Sequence, residues 1–143
     1  MKWKTLLLFC LFATAALAQT SRIPIWVEAK TSDAVGRSFV YQLREEIAHS
    51  ALYSLADTRE KTLLVLYIVS TSPAAEDANN SASAVSMVLL WETTKCGPIF
   101  LNQFVSMVGL DKTHEITQRL MAQVDAEVQA DLKALGLKQS EGR

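Results

Sequence analysis

Hydrophobic and polar residues follow one another in the order that a small α/β domain requires. Residues 23–28 alternate, which places two isoleucines and Val27 on one side and predicts a first strand. Asp33 follows as an amino-terminal cap, because its carboxylate can accept the unpaired amides of a first helical turn. We therefore expect a helix that begins near Ala34. Its buried stripe, at spacings of three and four residues, would be Val40, Leu43, Ile47, Ala51 and Leu55, with Phe39 beside it.

The middle of the chain predicts three further strands. Residues 62–69 are the most hydrophobic segment beyond the first eighteen residues, and they are rich in β-branched residues and too short for a typical helix. Residues 85–91 and 99–108 predict a third and a fourth strand, and residues 72–83 have the composition of a loop. Because the connections are too short for parallel crossovers, these three strands should form an antiparallel meander.

The clearest helical pattern lies near the carboxyl end, where Asp111 is placed to cap a helix and Gly136 to end it. Its apolar residues recur every three or four positions: Ile116, Leu120, Val124, Val128, Leu132 and Leu135. The predicted order is β-α-β-β-β-α. The predicted fold is an α/β two-layer sandwich, in which a four-stranded mixed sheet carries two helices on one face and the strand order stays open.

The first eighteen residues have the pattern of a cleavable secretory signal of the Sec type. Lys2 and Lys4 supply positive charge, residues 6–12 are apolar without a break, and residues 16–18 offer the small residues that precede cleavage before Gln19. This apolar stretch is shorter than the roughly 20 residues that a membrane-spanning helix needs. We therefore predict that the protein is periplasmic or secreted.

Removal of the leader changes the composition. The whole chain has 14 Lys and Arg against 15 Asp and Glu, and loss of Lys2 and Lys4 leaves 12 against 15, a net charge of about −3. This balance offers no basic field for nucleic acid, and no second apolar stretch predicts a transmembrane segment after cleavage. The expected organisation is a signal peptide at residues 1–18, a single α/β domain at 19–136 and a flexible tail at 137–143.

Cysteine use follows from the same cleavage. Cys10 lies within the leader, so Cys96 is the one thiol that the mature chain would keep. An internal disulfide is then impossible, and stability must come from the core. Cys96 is either an incidental loop thiol or one half of an intermolecular disulfide, and the sequence leaves its role open.

Several short motifs resemble those of small exported bacterial proteins of unknown function. They are the strand Ile-Pro-Ile-Trp-Val at 23–27, the Asp-x-Val-Gly turn at 33–36, the helix Tyr-Gln-Leu-Arg-Glu-Glu-Ile at 41–47 and the segment Phe-Val-Ser-Met-Val-Gly at 104–109. This resemblance implies export and carries no known activity. In element order alone the chain is also similar to the amino-terminal domain of periplasmic Tol translocation components, a protein-binding module, which implies a binding role.

Candidate chemistry is sparse. His49 and His114 are the only histidines, and the sequence has no hydrolase elbow, phosphate loop or zinc-ligand spacing, so we predict no catalytic residue, metal or cofactor. Glu45 and Glu46 precede His49 by one helical turn, a spacing that suits a metal ligand pair or proton relay and equally suits ordinary exposed charge pairs. The alternative hypothesis is therefore a small-molecule or metal-binding protein, or an enzyme, that uses His49 with Glu45 or Glu46.

The central strand carries the main functional signal, because its residues are apolar on both sides although two helices would cover only one. The loop at 72–83 or neighbouring strands could cover the second face, and so could a second copy or an envelope protein. We favour a non-catalytic protein-binding domain that binds a partner or itself through its sheet. The predicted interaction face consists of Trp26, Leu64, Leu66, Ile68, Val88, Leu90 and Phe104.

Overall fold

The computed structural model describes residues 22–72, 82–93 and 97–134. The predicted leader, Cys96, Leu135, Gly136 and most of the predicted loop at 72–83 lie outside these residues. No helix in the three described stretches has the length and apolar character needed to cross a membrane.

The described chain forms an α/β fold in which a mixed sheet carries two α-helices, as predicted, but the sheet has five strands instead of four. The strand order is β2-β1-β3-β4-β5. The elements are β1 (Ile23–Thr31), α1 (Ala34–His49), β2 (Tyr53–Leu55), β3 (Leu64–Thr71), β4 (Ala82–Trp91), β5 (Ile99–Gly109) and α2 (Thr113–Ala134), with short 3₁₀ turns at Arg59–Lys61 and Leu110–Lys112.

The additional strand, β2, occupies the stretch that the sequence pattern assigns to the end of the first helix. Helix α1 ends at His49, and the Ser50 hydroxyl accepts the amide of Tyr53 at 3.2 Å, which turns the chain back toward the sheet. Tyr53 then pairs with Ile23 of β1 and is buried, whereas Leu55 is 40% exposed. The four-residue spacing of apolar residues in this stretch is compatible with a last helical turn and also with a short strand whose first residue is buried. The spacing alone therefore does not distinguish the two structures.

The strand directions agree with the predicted meander. Strands β3, β4 and β5 pair antiparallel in succession, and β1 pairs parallel with both β2 and β3. Helix α1 therefore lies within a crossover between parallel strands. The only irregularity in these registers is a bulge opposite Leu89 and Leu90, where β5 carries one extra residue, Leu101.

One hydrophobic core fills the space between the sheet and the two helices. The predicted stripe of α2 is confirmed at four buried residues. The stripe of α1 is confirmed in part, since Leu43 and Ile47 are buried and Val40 is half-buried, whereas Ala51 and Leu55 lie beyond the helix and are exposed. The sheet contributes the side chains that point to the same side: Ile25, Val27, Leu64, Leu66, Ile68, Val85, Met87, Leu89 and Val108. This face of the sheet is called the helix face below.

Asp33 caps α1, as predicted, and also ties the helix to two strands. Its carboxylate accepts the Gly36 amide at 2.7 Å and the hydroxyls of Ser70 at 2.7 Å and Ser83 at 2.5 Å. Burial raises the pKa of the Asp33 carboxyl, but the three hydrogen bonds from Ser83, Gly36 and Ser70 outweigh burial, so the pKa lies below its usual value. The ionised carboxylate therefore joins α1, β3 and β4 at one end of the sheet.

Asp111 does not repeat this role. It lies inside the 3₁₀ turn Leu110–Lys112, and α2 begins after that turn at Thr113. At this junction the Thr113 hydroxyl donates to the carbonyl of Leu110 at 3.2 Å. The prediction of Asp111 as a cap was wrong because a tight turn occupies the residues just before the helix.

Candidate functional site

The sheet face opposite the helix face, here called the open face, is rich in apolar side chains. Residues that pair across adjacent strands share a face, so the registers arrange this surface in rows. The rows are Trp26, Val65, Leu90 and Phe100; then Glu28, Tyr67, Val88 and Gln103; then Lys30, Val69, Ser86 and Val105; and finally Thr71, Ala84 and Met107.

The most exposed apolar side chains of the open face lie toward β5. Val105 is 70% exposed, Phe100 60%, Met107 59% and Val69 50%. Three of these four residues belong to β5, which is an edge strand of the sheet. Scattered single hydrophobic residues are normal on a surface. Here Val105 and Met107 lie in adjacent rows, and Val69 and Phe100 lie beyond the polar Ser86 and Gln103, a grouping of the kind that marks an interaction site.

A bulge determines which aromatic side chain joins this patch. Strict alternation back from Met107 through Val105 and Gln103 would place Leu101 on the open face. The extra residue shifts the pairing so that Phe100 lies opposite Leu90, on the open face, in its place. The bulge thus puts a large aromatic side chain at the end of the first row.

The opposite end of the open face is covered by the chain itself. The connection between β2 and β3 passes there, and Arg59 donates to the Tyr67 hydroxyl at 2.7 Å with its guanidinium carbon 5.5 Å from the ring centroid. Arg59 also lies 3.4 Å from a Glu92 oxygen and 3.7 Å from a Glu28 oxygen. The hydrogen bond to Tyr67, partly opposed by desolvation and supported by Glu92, raises the pKa of Arg59. The connection between β2 and β3 therefore covers part of the apolar surface on the open face.

The seven residues predicted for the interaction face divide between the two faces of the sheet. Trp26, Val88 and Leu90 lie on the open face, in the first two rows. The remaining four were assigned to the wrong face, since they lie on the helix face: Leu64, Leu66, Ile68 and Phe104.

The physical reason is that β3 is apolar at every position from Leu64 to Val69, so its alternation does not reveal which side the helices cover. Leu64, Leu66 and Ile68 are at most 1% exposed, and Phe104 pairs with Met87 against the core. The residues missed by sequence reasoning are Val69, Phe100, Val105 and Met107. Alternation along β5 marks Val105 and Met107 as partners on one face, but Phe100 depends on the bulge.

A separate cleft of about 290 Å³ lies where the end of α1 meets α2. Glu46 and His49 line it together with Tyr53 and Asp125, and its remaining lining is Ser50, Leu52, Met121 and Ala122. The Tyr53 hydroxyl donates to Asp125 at 3.1 Å. Burial, the Asp125 charge and this hydrogen bond all raise the pKa of Tyr53, so its phenol stays protonated.

The cleft brings together part of the alternative site that the sequence suggests. Glu46 and His49 both line it, and His114 approaches from α2 with its Nδ1 3.6 Å from a Glu46 oxygen. Glu45 is not part of the lining, and it is its backbone carbonyl that lies 2.8 Å from the His49 Nδ1. Across residues 22–72, 82–93 and 97–134, no three His, Cys, Asp or Glu side chains are grouped to hold a metal.

The fold and the open face define a small α/β domain whose mixed sheet carries α-helices on one side and an exposed apolar patch on the other. Neither a known protein-family model nor a curated protein matches the chain. Function is therefore inferred from the site itself.

Proposed function

We propose that the protein is an exported, non-catalytic domain that binds another protein through the uncovered part of its open face. The observation that carries this proposal is the patch formed by Val69, Phe100, Val105 and Met107, each at least half exposed on the open face. Protein partners bury such side chains, whereas water solvates them poorly.

Burial of exposed apolar side chains can supply the free energy of a specific contact. Burial of a few hundred Å² of apolar surface, at about 25 cal/mol per Å², stabilises a complex by several kcal/mol before the costs of association. Two polar side chains, Gln103 and Ser86, lie between the apolar residues of the patch and can supply hydrogen bonds for orientation. Protein interfaces combine apolar contacts with a smaller number of hydrogen bonds.

The charged groups near the open face favour binding over catalysis. Glu28 and Arg59 lie at its covered end, where Arg59 is held by Tyr67 and Glu92. A general acid or base needs a titratable group within reach of a substrate in a cleft. The exposed patch itself consists of side chains that cannot transfer protons.

Export rests on the sequence, since Lys2, Lys4 and the apolar residues that follow have the pattern of a secretory signal. The resemblance to small exported bacterial proteins supports the same location. The looser similarity to Tol translocation components supports a protein-binding role in the periplasm. Fractionation of cells that express the chain, with mass spectrometry of the amino terminus, should find a periplasmic or secreted product that begins at Gln19.

Binding through the open face is tested by a pair of matched substitutions. Met107 and Tyr41 are similarly exposed, at 59% and 61%, but Met107 lies on the open face and Tyr41 on α1. The exported product, immobilised and exposed to an envelope extract, should retain a defined protein. Met107→Glu should abolish that retention, while Tyr41→Glu should preserve it. Equal retention by both variants would exclude the open face as the binding site.

The cleft supports a second candidate function, the binding of a small cationic molecule. Glu46 and Asp125 contribute carboxylates to the lining, and the carboxyl end of α1, where the helix dipole is negative, adjoins them at His49. A cleft of about 290 Å³ is at the lower limit of ligand sites, which suits a small amine. Thermal melting in the presence of simple alkylamines should show stabilisation that Asp125→Asn removes. No shift with any amine would exclude this site.

A further inference from the structure

We propose that the partner of this domain is a second copy of the same chain, which pairs its β5 antiparallel with β5 of the first. The inference rests on the proposed protein-binding function and names the partner and the contact. The two five-stranded sheets would form one continuous sheet across a two-fold axis. β5 is suited to this contact because it is an edge strand and, with 11 residues, the longest strand among the described elements.

The backbone of β5 shows which groups face outward. The backbone N–H of Gln103 donates to the side-chain Oδ1 of Asn102 at 2.7 Å, so this N–H group does not point toward β4. In an antiparallel ladder, alternate residues turn both backbone groups away from the neighbouring strand. Gln103, Val105 and Met107 therefore turn their backbone groups to the edge. The Ser106 hydroxyl, which donates to the Met107 carbonyl at 3.3 Å, agrees with this assignment.

The β5 edge lacks the features that prevent the edge strands of monomeric proteins from pairing with another chain. Edge strands usually carry charged residues, prolines or bulges that prevent pairing with another chain. The segment Ile99–Gly109 has no charged residue and no proline. Its one bulge, at Leu101, lies near the start of the strand and leaves residues 102–109 in regular register. This regular part is the segment available for pairing.

A second copy fits this edge for reasons of charge. In an antiparallel pair related by a two-fold axis, the residue on the axis faces its own counterpart, so a charged residue would meet a like charge in the register that places it on the axis. β5 has none. With the axis at Val105, the two Val105 residues face each other and Gln103 of each copy faces Met107 of the other. All three outward residues then find partners, and their side chains contact one another on the open face.

The side of the molecule along β5 is large enough. The regular part of β5, residues 102–109, is about 27 Å long, and a sheet with its helix layer is about 20 Å thick, which gives about 540 Å² from each copy. Helix α2 contributes to this side, since Asn102 donates to Glu127 at 2.6 Å and so places α2 beside β5. A biological interface buries at least about 1,000 Å² in total, and the two copies together supply about that area.

Solution mass provides the first test. Light scattering on the exported product, up to about 100 μM, should give twice the monomer mass. Val105→Lys places two like charges together at the axis and should weaken association by at least about tenfold. Tyr41→Lys, a matched exposed control on α1, should leave the dimer intact. Circular dichroism melts should show that both variants are folded.

A cross-link tests the register independently. In a Cys96→Ser background, Val105→Cys should form an intermolecular disulfide on mild oxidation, because paired residues of adjacent strands lie within the Cα separation that a disulfide requires. Tyr41→Cys in the same background should not. A wild-type product that stays monomeric up to about 100 μM, or that dimerises unchanged with Val105→Lys, would overturn the proposal. The wild-type product could instead be monomeric and retain an envelope protein that Met107→Glu does not retain. That result would reject the dimer but support the broader protein-binding function.

Discussion

Gly36 and Ser70 bring α1 and β3 closer together than any side chain at position 36 would allow. A Cβ added to Gly36 would lie 1.8 Å from the Ser70 Oγ and 2.5 Å from its Cβ. The Ser70 hydroxyl at this contact donates to Asp33, whose carboxylate also accepts the Gly36 amide. The Asp-x-Val-Gly turn therefore combines a helix cap with a close approach of helix and strand.

We expect Gly36→Ala to destabilise the fold by about 1–3 kcal/mol, because the methyl group overpacks a contact with β3. Urea unfolding measures this change. Ser70→Gly removes both clashing atoms, so Gly36→Ala should cost less in a Ser70→Gly background than in the wild type. A Gly36→Ala protein as stable as the wild type would contradict the close approach.

Asp33 should make stability depend on acid pH. Its folded pKa lies below the unfolded value of about 3.9, so its contribution is complete above that value and is lost as the pH falls through the folded pKa. Asp33→Asn should cost about 1 kcal/mol at pH 7 and should reduce the loss of stability below about pH 4. Urea unfolding of both proteins between pH 7 and pH 2 measures the difference. Asp57→Asn, at an exposed position, serves as a control. If Asp33→Asn leaves the pH dependence of stability unchanged, the role of the Asp33 carboxylate in joining α1 to β3 and β4 is contradicted.

The assignment of sheet faces is tested by truncation of one residue on each face. Leu66 is fully buried on the helix face, so Leu66→Ala should cost about 2–5 kcal/mol. Met107 is 59% exposed on the open face, and Met107→Ala should change stability by at most about 0.5 kcal/mol. Thermal or urea unfolding compares the two. Similar losses for both variants would mean that the face assignment is wrong.

Tyr53 and Asp125 form the polar contact that joins β2 to α2. Tyr53→Phe should cost about 0.5–1.5 kcal/mol, because it removes the hydroxyl that donates to Asp125. In an alkaline spectrophotometric titration, one tyrosine of the wild type should ionise only above the usual range, and that late step should disappear in Tyr53→Phe. If Tyr53→Phe lacks only a step in the usual range for tyrosine and keeps the late step, the buried contact between Tyr53 and Asp125 is contradicted.

Much of the fold could be predicted because its signals are local. The cap at Asp33, the helix stripe through Leu43 and Ile47 and the antiparallel order of the last three strands depend on residues close together in the chain. Short-range spacing and short connections are sufficient for such features. The strand β2 escaped prediction because its three residues are held in place by β1, which lies some thirty positions earlier.

The predicted interaction face shows the same limit more clearly. Leu66 and Val65 are both fully buried, one under the helices and one on the open face, so hydrophobicity along β3 does not distinguish the two sides. Phe100 reaches the open face only through the bulge at Leu101. Each of these positions depends on pairing with another strand, which no spacing within a single segment encodes.

The sequence by itself determined the class of fold and the central part of both helices, and it predicts export through the leader at residues 1–18, because helical and strand periodicity and a signal pattern are properties of neighbouring residues. The tertiary structure decided which side of the sheet the helices cover and which strand lies at the edge. These are outcomes of long-range packing, since burial of one face by α1 and α2 leaves Val105 and Met107 exposed on the other face.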